Sequence, residues 1–348
     1  MPATSDPTEH LEQASTARPR LSAGARAWQL LRHPVVLKTV SSLVTLFGVA
    51  VAVFAMLRAV PGDQITAGLG TEAAALTPQQ RAELEAYYGL DKPLVSQFFG
   101  WLGELFHGNL GYSSRSRTSV GSLVADALPV TIELAILAII VALLLGIPIG
   151  MAAARKPNGA TDAGGQVFAL LGLSVPAFLL ASVLLMVTSR AAGFNPNGKP
   201  FAPLWVDPGL NLQQMLLPAI TLGFGIAAPI VRTTRTAVLE IRGEDHVRTA
   251  RAKGVGGRAL LTRHILRNAL VPIVTMTGLQ FGYLLGGAVV VEQIFSLPGI
   301  GRQVLLGIEQ KEYAVVQSTV LVIAVLFVAV NLLTDLVYRL VDPRVRAA

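Results

Sequence analysis

The stretch EDHVRTARAKGVGGRALLTRHILRNALVP, from Glu244 to Pro272, decides the fold class, because it sets a dense run of cations between two long apolar segments. An Arg or Lys at the centre of a bilayer costs on the order of 2.5 to 3.5 kcal/mol even on the lenient insertion scale. The stretch must therefore lie in water or against protein, and the apolar runs on either side are read as membrane spans joined by a charged loop.

Working outward, 52% of the residues are hydrophobic and only 14% are charged, where a soluble domain carries roughly a quarter charged. A span needs about 20 mainly apolar residues. Six segments meet or approach this: Thr39 to Leu57, Pro129 to Ala153, Gly165 to Thr188, Gln214 to Val231, Ala269 to Val291 and Ala314 to Leu336. The fourth is short and carries Pro218 and Pro229. The expectation is an all-α polytopic membrane protein with six transmembrane helices and a small extracytoplasmic domain.

Cations set the expected orientation. Arg155 and Lys156 follow the second segment, nine Arg and Lys residues from Arg232 to Arg267 follow the fourth, and Arg339, Arg344 and Arg346 follow the sixth. These ends, and with an even number of spans both termini, are expected in the cytoplasm. The net charge of +7 is thereby a topology signal and does not call for nucleic acid as a partner.

The expected organisation is a loosely structured cytoplasmic tail over 1–35, a first span over 36–58 and an extracytoplasmic cap over 59–128. A five-helix core over 129–340 follows, with a cytoplasmic loop at 235–268, and a short tail over 341–348 ends the chain. The tail is polar, and the first apolar run begins too late and runs too long for a secretory signal. In the cap, TPQQRAELEAYYGL reads as a helix with Thr77 as N-cap, Pro78 in the first turn and Gly89 as the stop. PLVSQFFGWLGELFHGNLG places Val95, Phe98, Phe99, Leu102, Leu105 and Phe106 near helical spacing, so one face should lie on the membrane surface or on the cap. Trp101 and Tyr112 suit an interface. Proline recurs inside the spans, at Pro148, Pro176, Pro218, Pro229 and Pro272, where it favours a kink or break.

Within the central loop, Glu244 to Lys253 can form a helix with Glu244 and Asp245 at its positive end and Arg251 and Lys253 near its negative end. Gly254 ends it, and a second helix can run from about Gly257 to Asn268. The pair should present Val247 and Ala250 as an apolar face flanked by cations, fit either for a groove of another protein or for anionic headgroups at the membrane surface.

Zero cysteines exclude disulfides and thiolate metal sites within the chain. No GxxxxGK[ST] phosphate loop is present, so energy from ATP must come from another subunit. The histidines, His10, His33, His107, His246 and His264, have no metal-ligand spacing. Ionisable groups in or beside spans are costly unless they face a cavity or a partner. Glu133, Glu292, Asn331 and Asp335 are thus candidates for lining a pathway, with structural hydrogen bonding as the alternative. Ser174 joins them from the LSVPAF stretch.

RTARAKG followed by RHILRNALVP resembles the cytoplasmic coupling loop in permease subunits of bacterial ABC importers, of the dipeptide, oligopeptide and nickel branch. The wider class carries Glu-Ala-Ala, three residues, then Gly, and here only Ala250 and Gly254 keep that pattern. The resemblance extends over RAVPGD at 58–63, YGLDKPL at 88–94, NLGYS at 109–113, LPVTIELAIL at 128–137 and LPAITLGFGIAAPIVRTTRTAVLE at 217–240. VVVEQIFSLPGIG at 289–301 and NLLTDLVYRLVDPRVR at 331–346 are its most specific parts.

The resemblance implies a type I importer permease fold in the bacterial inner membrane and a non-catalytic subunit. It implies a second, homologous permease in a heterodimer, two ATPase subunits or one fused ATPase using ATP and magnesium, an extracytoplasmic substrate-binding protein, and short peptides as substrate. Glu244, Asp245, Val247, Arg248, Ala250, Arg251, Lys253, Gly254, Arg258, His264 and Arg267 would transmit motion from the ATPase. A self-sufficient secondary transporter or channel, coupled to ions through Glu133 and Asp335, is the alternative.

Overall fold

In the computed structural model the described residues are 34–59, 65, 70–87, 90–191 and 193–341, of which 34–35, 70–72, 87, 285–287 and 337–341 are described by backbone alone. Most of the two terminal tails, part of RAVPGD, and the Gly89 helix stop lie outside them. The chain divides into two compact units, Met1–Gly48 and Val49–Ala348. In the first, residues 34–48 are helical, the start of α1 (Pro34–Ala59), and Leu37, Val40, Leu43, Val44 and Phe47 are exposed apolar side chains.

In the second unit, α2 (Pro78–Tyr87) begins as the sequence predicts. Gln80 donates its backbone N–H to Thr77 Oγ1 (3.3 Å), and the Thr77 N–H donates to Gln80 Oε1 (3.0 Å), a reciprocal cap. α3 (Leu94–Phe106) buries Phe98 against Phe54 and Trp101, at ring separations of 5.4 and 6.1 Å. Val95, Phe99 and Phe106 of the same helix remain exposed, so its apolar residues divide between two faces.

A two-stranded hairpin, β1 (Tyr112–Ser113) with β2 (Thr118–Ser119), leads into α4 (Val120–Arg155), whose N-cap Ser119 accepts the N–H of Ser122. α4 has 36 residues, about 54 Å at 1.5 Å per residue, well beyond the ~30 Å of a bilayer core. It packs along α7 (Pro208–Arg242), the most enclosed helix of the core. Small residues bring the two backbones close. A methyl at Gly150 would meet the Val231 carbonyl oxygen at 2.7 Å, and one at Gly223 would meet that of Ala138 at 2.8 Å. α7 is much longer than the segment expected from hydropathy, because Asp207 caps its start by accepting the Leu210 N–H and Pro208 fits the first turn.

The third expected span is two helices. α5 (Ala160–Ser174) and α6 (Ala177–Ala191) meet at 101°. Val175, which precedes Pro176, is extended at φ −80, ψ 118, the conformation that a following proline favours. Beyond α7 come α8 (Asp245–Ala252), a helical turn at Gly257–Ala259, a π-helical stretch at Leu260–Leu266 and α9 (Arg267–Gly287). The second helix of the charged loop therefore does not stop at Asn268 but runs on through Pro272 into the next apolar segment.

The fifth expected span is shared between α9 and α10 (Val289–Ile294), and Thr275, Thr277, Gln280 and several glycines dilute the apolar character of α9. α11 (Ile300–Glu309) and α12 (Tyr313–Val341) are the last two described helices. Among the described residues, α1, α4, α7 and α12 contain stretches long and apolar enough to cross a membrane, and the bent α5–α6 pair offers a fifth crossing. The core joins α4, α7, α8 and α9 through Leu134, Met215, Ile230, Val247 and Ile273.

Candidate functional site

The loop after α7 is a braced platform. Val247 is wholly buried and Ala250 nearly so, both in the core that also holds Ile241, Leu260 and Ile265. This corrects the expectation that they form an outward apolar face: the stripe is real, but the chain's own helices cover it. What α8 exposes is its polar side, Asp245, His246, Arg248, Thr249, Arg251 and Ala252, with Lys253 and Gly254 beyond its end. Glu244 pairs with His246 at 3.0 Å, and Arg248 lies 3.6 Å from Asp245, both on exposed surface.

Gly254 ends α8 as the sequence predicts. Its φ of +80 lies in the left-handed region. The Val255 N–H donates to the Ala250 carbonyl (3.2 Å) and the Gly254 N–H to that of Arg251 (3.0 Å), the paired bonds of a Schellman turn. Val255 then folds back against the core. Asn268 Nδ2 lies 3.2 Å from His246 Nε2, linking α9 to α8, and also donates to the His264 carbonyl. His264 is half-buried, while Arg258, Arg263 and Arg267 are exposed.

The platform hangs from two further ties that sequence reasoning missed. Asp162, fully buried at the start of α5, receives both Arg235 Nε (2.6 Å) and Nη2 (2.7 Å) from α7. It also accepts the Asn158 N–H (2.8 Å) and Gln166 Nε2 (3.0 Å), so its oxygens are fully used. Arg242 Nη1 donates to the Ala154 carbonyl at the end of α4. Arg235 reads in the sequence as one cation among many, and nothing local marks a carboxylate 73 residues earlier as its partner.

The pathway candidates are dispersed. Glu292 is fully buried and caps α11: Thr131 Oγ1 donates to its Oε1 (2.7 Å), the Arg302 N–H donates to its Oε2 (2.9 Å), and the Ile300 N–H donates to Thr131 Oγ1 (2.8 Å). A side chain at Gly299 would collide with the Glu292 carboxylate, which accounts for the glycine in SLPGIG. In this chain Glu292 is buried and acts as a helix cap.

Glu133 is half-buried. Its Oε2 lies 3.4 Å from Asn211 Nδ2, and its Oε1 is buried with no partner among the described residues. Asn211 also donates to the Ala202 carbonyl, and Gln214 holds the same segment through Ala202 N–H and the carbonyls of Lys199 and Pro200. Ser174 is exposed at the α5–α6 break, and Asn331 and Asp335 are half-buried one turn apart on α12.

Two family models match the chain. The binding-protein-dependent transport system inner membrane component covers residues 146–347, and the N-terminal part of that membrane component covers residues 30–135. The chain belongs to this family. It is 37% identical over 324 residues to the dipeptide transport system permease protein DppB of Escherichia coli K12, with 87% of this chain and 95% of that one covered. It is 38% identical over 321 residues to the di/tripeptide transport system permease protein DppB of Pseudomonas aeruginosa, at the same coverage. Among solved structures it is similar to a chain of the MetNI methionine ABC transporter, with TM-score 0.50, 19% identity, and 63% of this chain and 96% of that one covered.

The likeness to MetNI establishes the fold, a type I importer permease, as the resemblance implied. The permease is a non-catalytic, multi-pass component of a bacterial inner membrane transport system that works with a binding protein.

Proposed function

We propose that this permease forms half of the translocation pathway for short peptides, imported at the expense of ATP hydrolysed by partner subunits. A homologous but different permease completes the pathway. Two ATPase subunits, or one fused ATPase, bind ATP and magnesium on the cytoplasmic side, where both termini and the α7–α9 loop lie. An external binding protein delivers the peptide. The substrate class rests on the dipeptide and di/tripeptide permeases with which 87% of the chain aligns.

The observation that carries the coupling role is the construction of α8. A polar, cation-bearing face is exposed, while Val247 and Ala250 are buried in the core that also holds residues of α4 and α7, and the Arg242 tie joins those two helices to each other. A push on α8 is therefore passed to the two longest core helices. Arg248, Arg251, Lys253 and the Gly254 edge make the contact; Val247 and Ala250 carry the load inward.

The test is ATP-dependent uptake of labelled di- to hexapeptides into proteoliposomes holding the co-purified complex and its binding protein, with wild type set against Arg251→Glu. Loss of uptake and of substrate-stimulated ATP hydrolysis, with the complex still assembled, is the expected result. Uptake that continues without ATP overturns the reading in favour of an ion-coupled carrier.

A further inference from the structure

Beside the platform, at the ends of α4 and α7, lies an open cleft of ≈ 670 Å³. Four arginines line it: Arg155 ends α4, Arg242 ends α7, Arg251 lies on α8 and Arg258 lies in the turn before the π-helical stretch. None of the lining residues is acidic. Arg242 is held in place by the Ala154 and Arg155 carbonyls, leaving its charge uncompensated by those neutral partners. Four like charges around one cleft repel one another, and an anion among them relieves that repulsion.

The rest of the lining is apolar. Met151, Val238, Leu260, Leu261 and Ile265 form the floor. A free inorganic ion would satisfy the arginines and leave this floor unused. An occupant with an anionic head and a hydrocarbon body matches both parts, and α4 and α7 bring the cleft to the end of membrane-crossing helices, where such molecules are concentrated.

We propose that this cleft binds one anionic phospholipid, its phosphate held by Arg155, Arg242, Arg251 and Arg258 and the upper part of an acyl chain lying along Met151, Val238 and Leu260. Because Arg251 belongs to α8, the bound lipid buttresses the platform from the membrane side. The proposal rests on the chain's place in a membrane and not on the transported solute or its direction.

The experiment is native mass spectrometry of the purified complex after equilibration with vesicles of phosphatidylcholine alone or mixed with phosphatidylglycerol. Wild type is compared with Arg155→Gln/Arg258→Gln, with Arg155→Lys/Arg258→Lys, and with Arg263→Gln/Arg267→Gln as a charge-matched control outside the cleft. Wild type and control should retain phosphatidylglycerol and not phosphatidylcholine. The Gln pair should retain it on the order of 30-fold more weakly, and the Lys pair, which keeps the charge, should stay near wild type and guard against a folding defect.

Equal retention by wild type and the Gln pair, or retention of phosphatidylcholine by wild type, overturns the proposal. So does inorganic phosphate raising the melting temperature as much as phosphatidylglycerol does, which would make the cleft a simple anion site. If the intact complex carries no lipid and Arg155→Glu dissociates it, an acidic surface of a partner subunit fills the cleft instead.

Discussion

At the scale of single residues, buried polar groups in this permease are spent on joining elements. Glu292 and Thr131 together supply acceptors for two backbone N–H groups at the start of α11. Glu292→Ala should destabilise the protein by about 1 to 3 kcal/mol for a stranded buried donor, read as a lower melting temperature of the assembled complex, with Glu292→Gln milder. Unchanged melting with impaired uptake would instead place Glu292 in the transport path. Glu133 differs, because one of its oxygens is buried without a partner among the described residues. Glu133→Gln should reduce peptide uptake and substrate-stimulated ATP hydrolysis while the complex assembles normally; full activity would remove Glu133 from the pathway.

At the scale of elements, the turn after α8 depends on a residue able to hold φ +80. Gly254→Ala should cost about 1 to 2 kcal/mol locally, seen as faster hydrogen exchange of α8 amides, with Gly254→Asn intermediate because Asn enters that region more readily. Four long crossings and the helix–glycine–helix outline of the loop were legible in the sequence because hydropathy, caps and glycine act locally. The break at Pro176 was legible as a possibility, yet its angle depends on what α5 and α6 pack against. The inward direction of Val247 was not legible at all: an amphipathic stripe says that one face will be covered, and only the packing of Leu260 and Ile265 says by what. The π-helical stretch likewise has no signal in composition.

For the whole molecule, the ties that matter join distant parts of the chain, and these escaped sequence reasoning for that reason. Asp162 and Arg235 form a pair in which removing one member strands the other in a mostly enclosed site. Asp162→Ala should lower the melting temperature more than the double change Asp162→Leu/Arg235→Met, and an additive double change would show the two groups to be energetically independent. Glu133, Ser174, Asn331 and Asp335 were legible as candidates because polar groups beside apolar runs stand out locally, whereas which of them face one another is set by the packing of helices distant in the chain.

The hairpin before α4 adds a mechanical constraint. Glu312, at the foot of α12, accepts from Ser113 Oγ (2.7 Å) and the Arg115 N–H (2.9 Å), while Ser318 Oγ donates to the Leu110 carbonyl (2.6 Å). The Val120 end of α4 and the Tyr313 end of α12 are thereby riveted, and Thr131 adds a second rivet through α11. Two rods pinned at one end part most readily at the other, so any separation of these helices would be widest at the arginine-bearing end of α4.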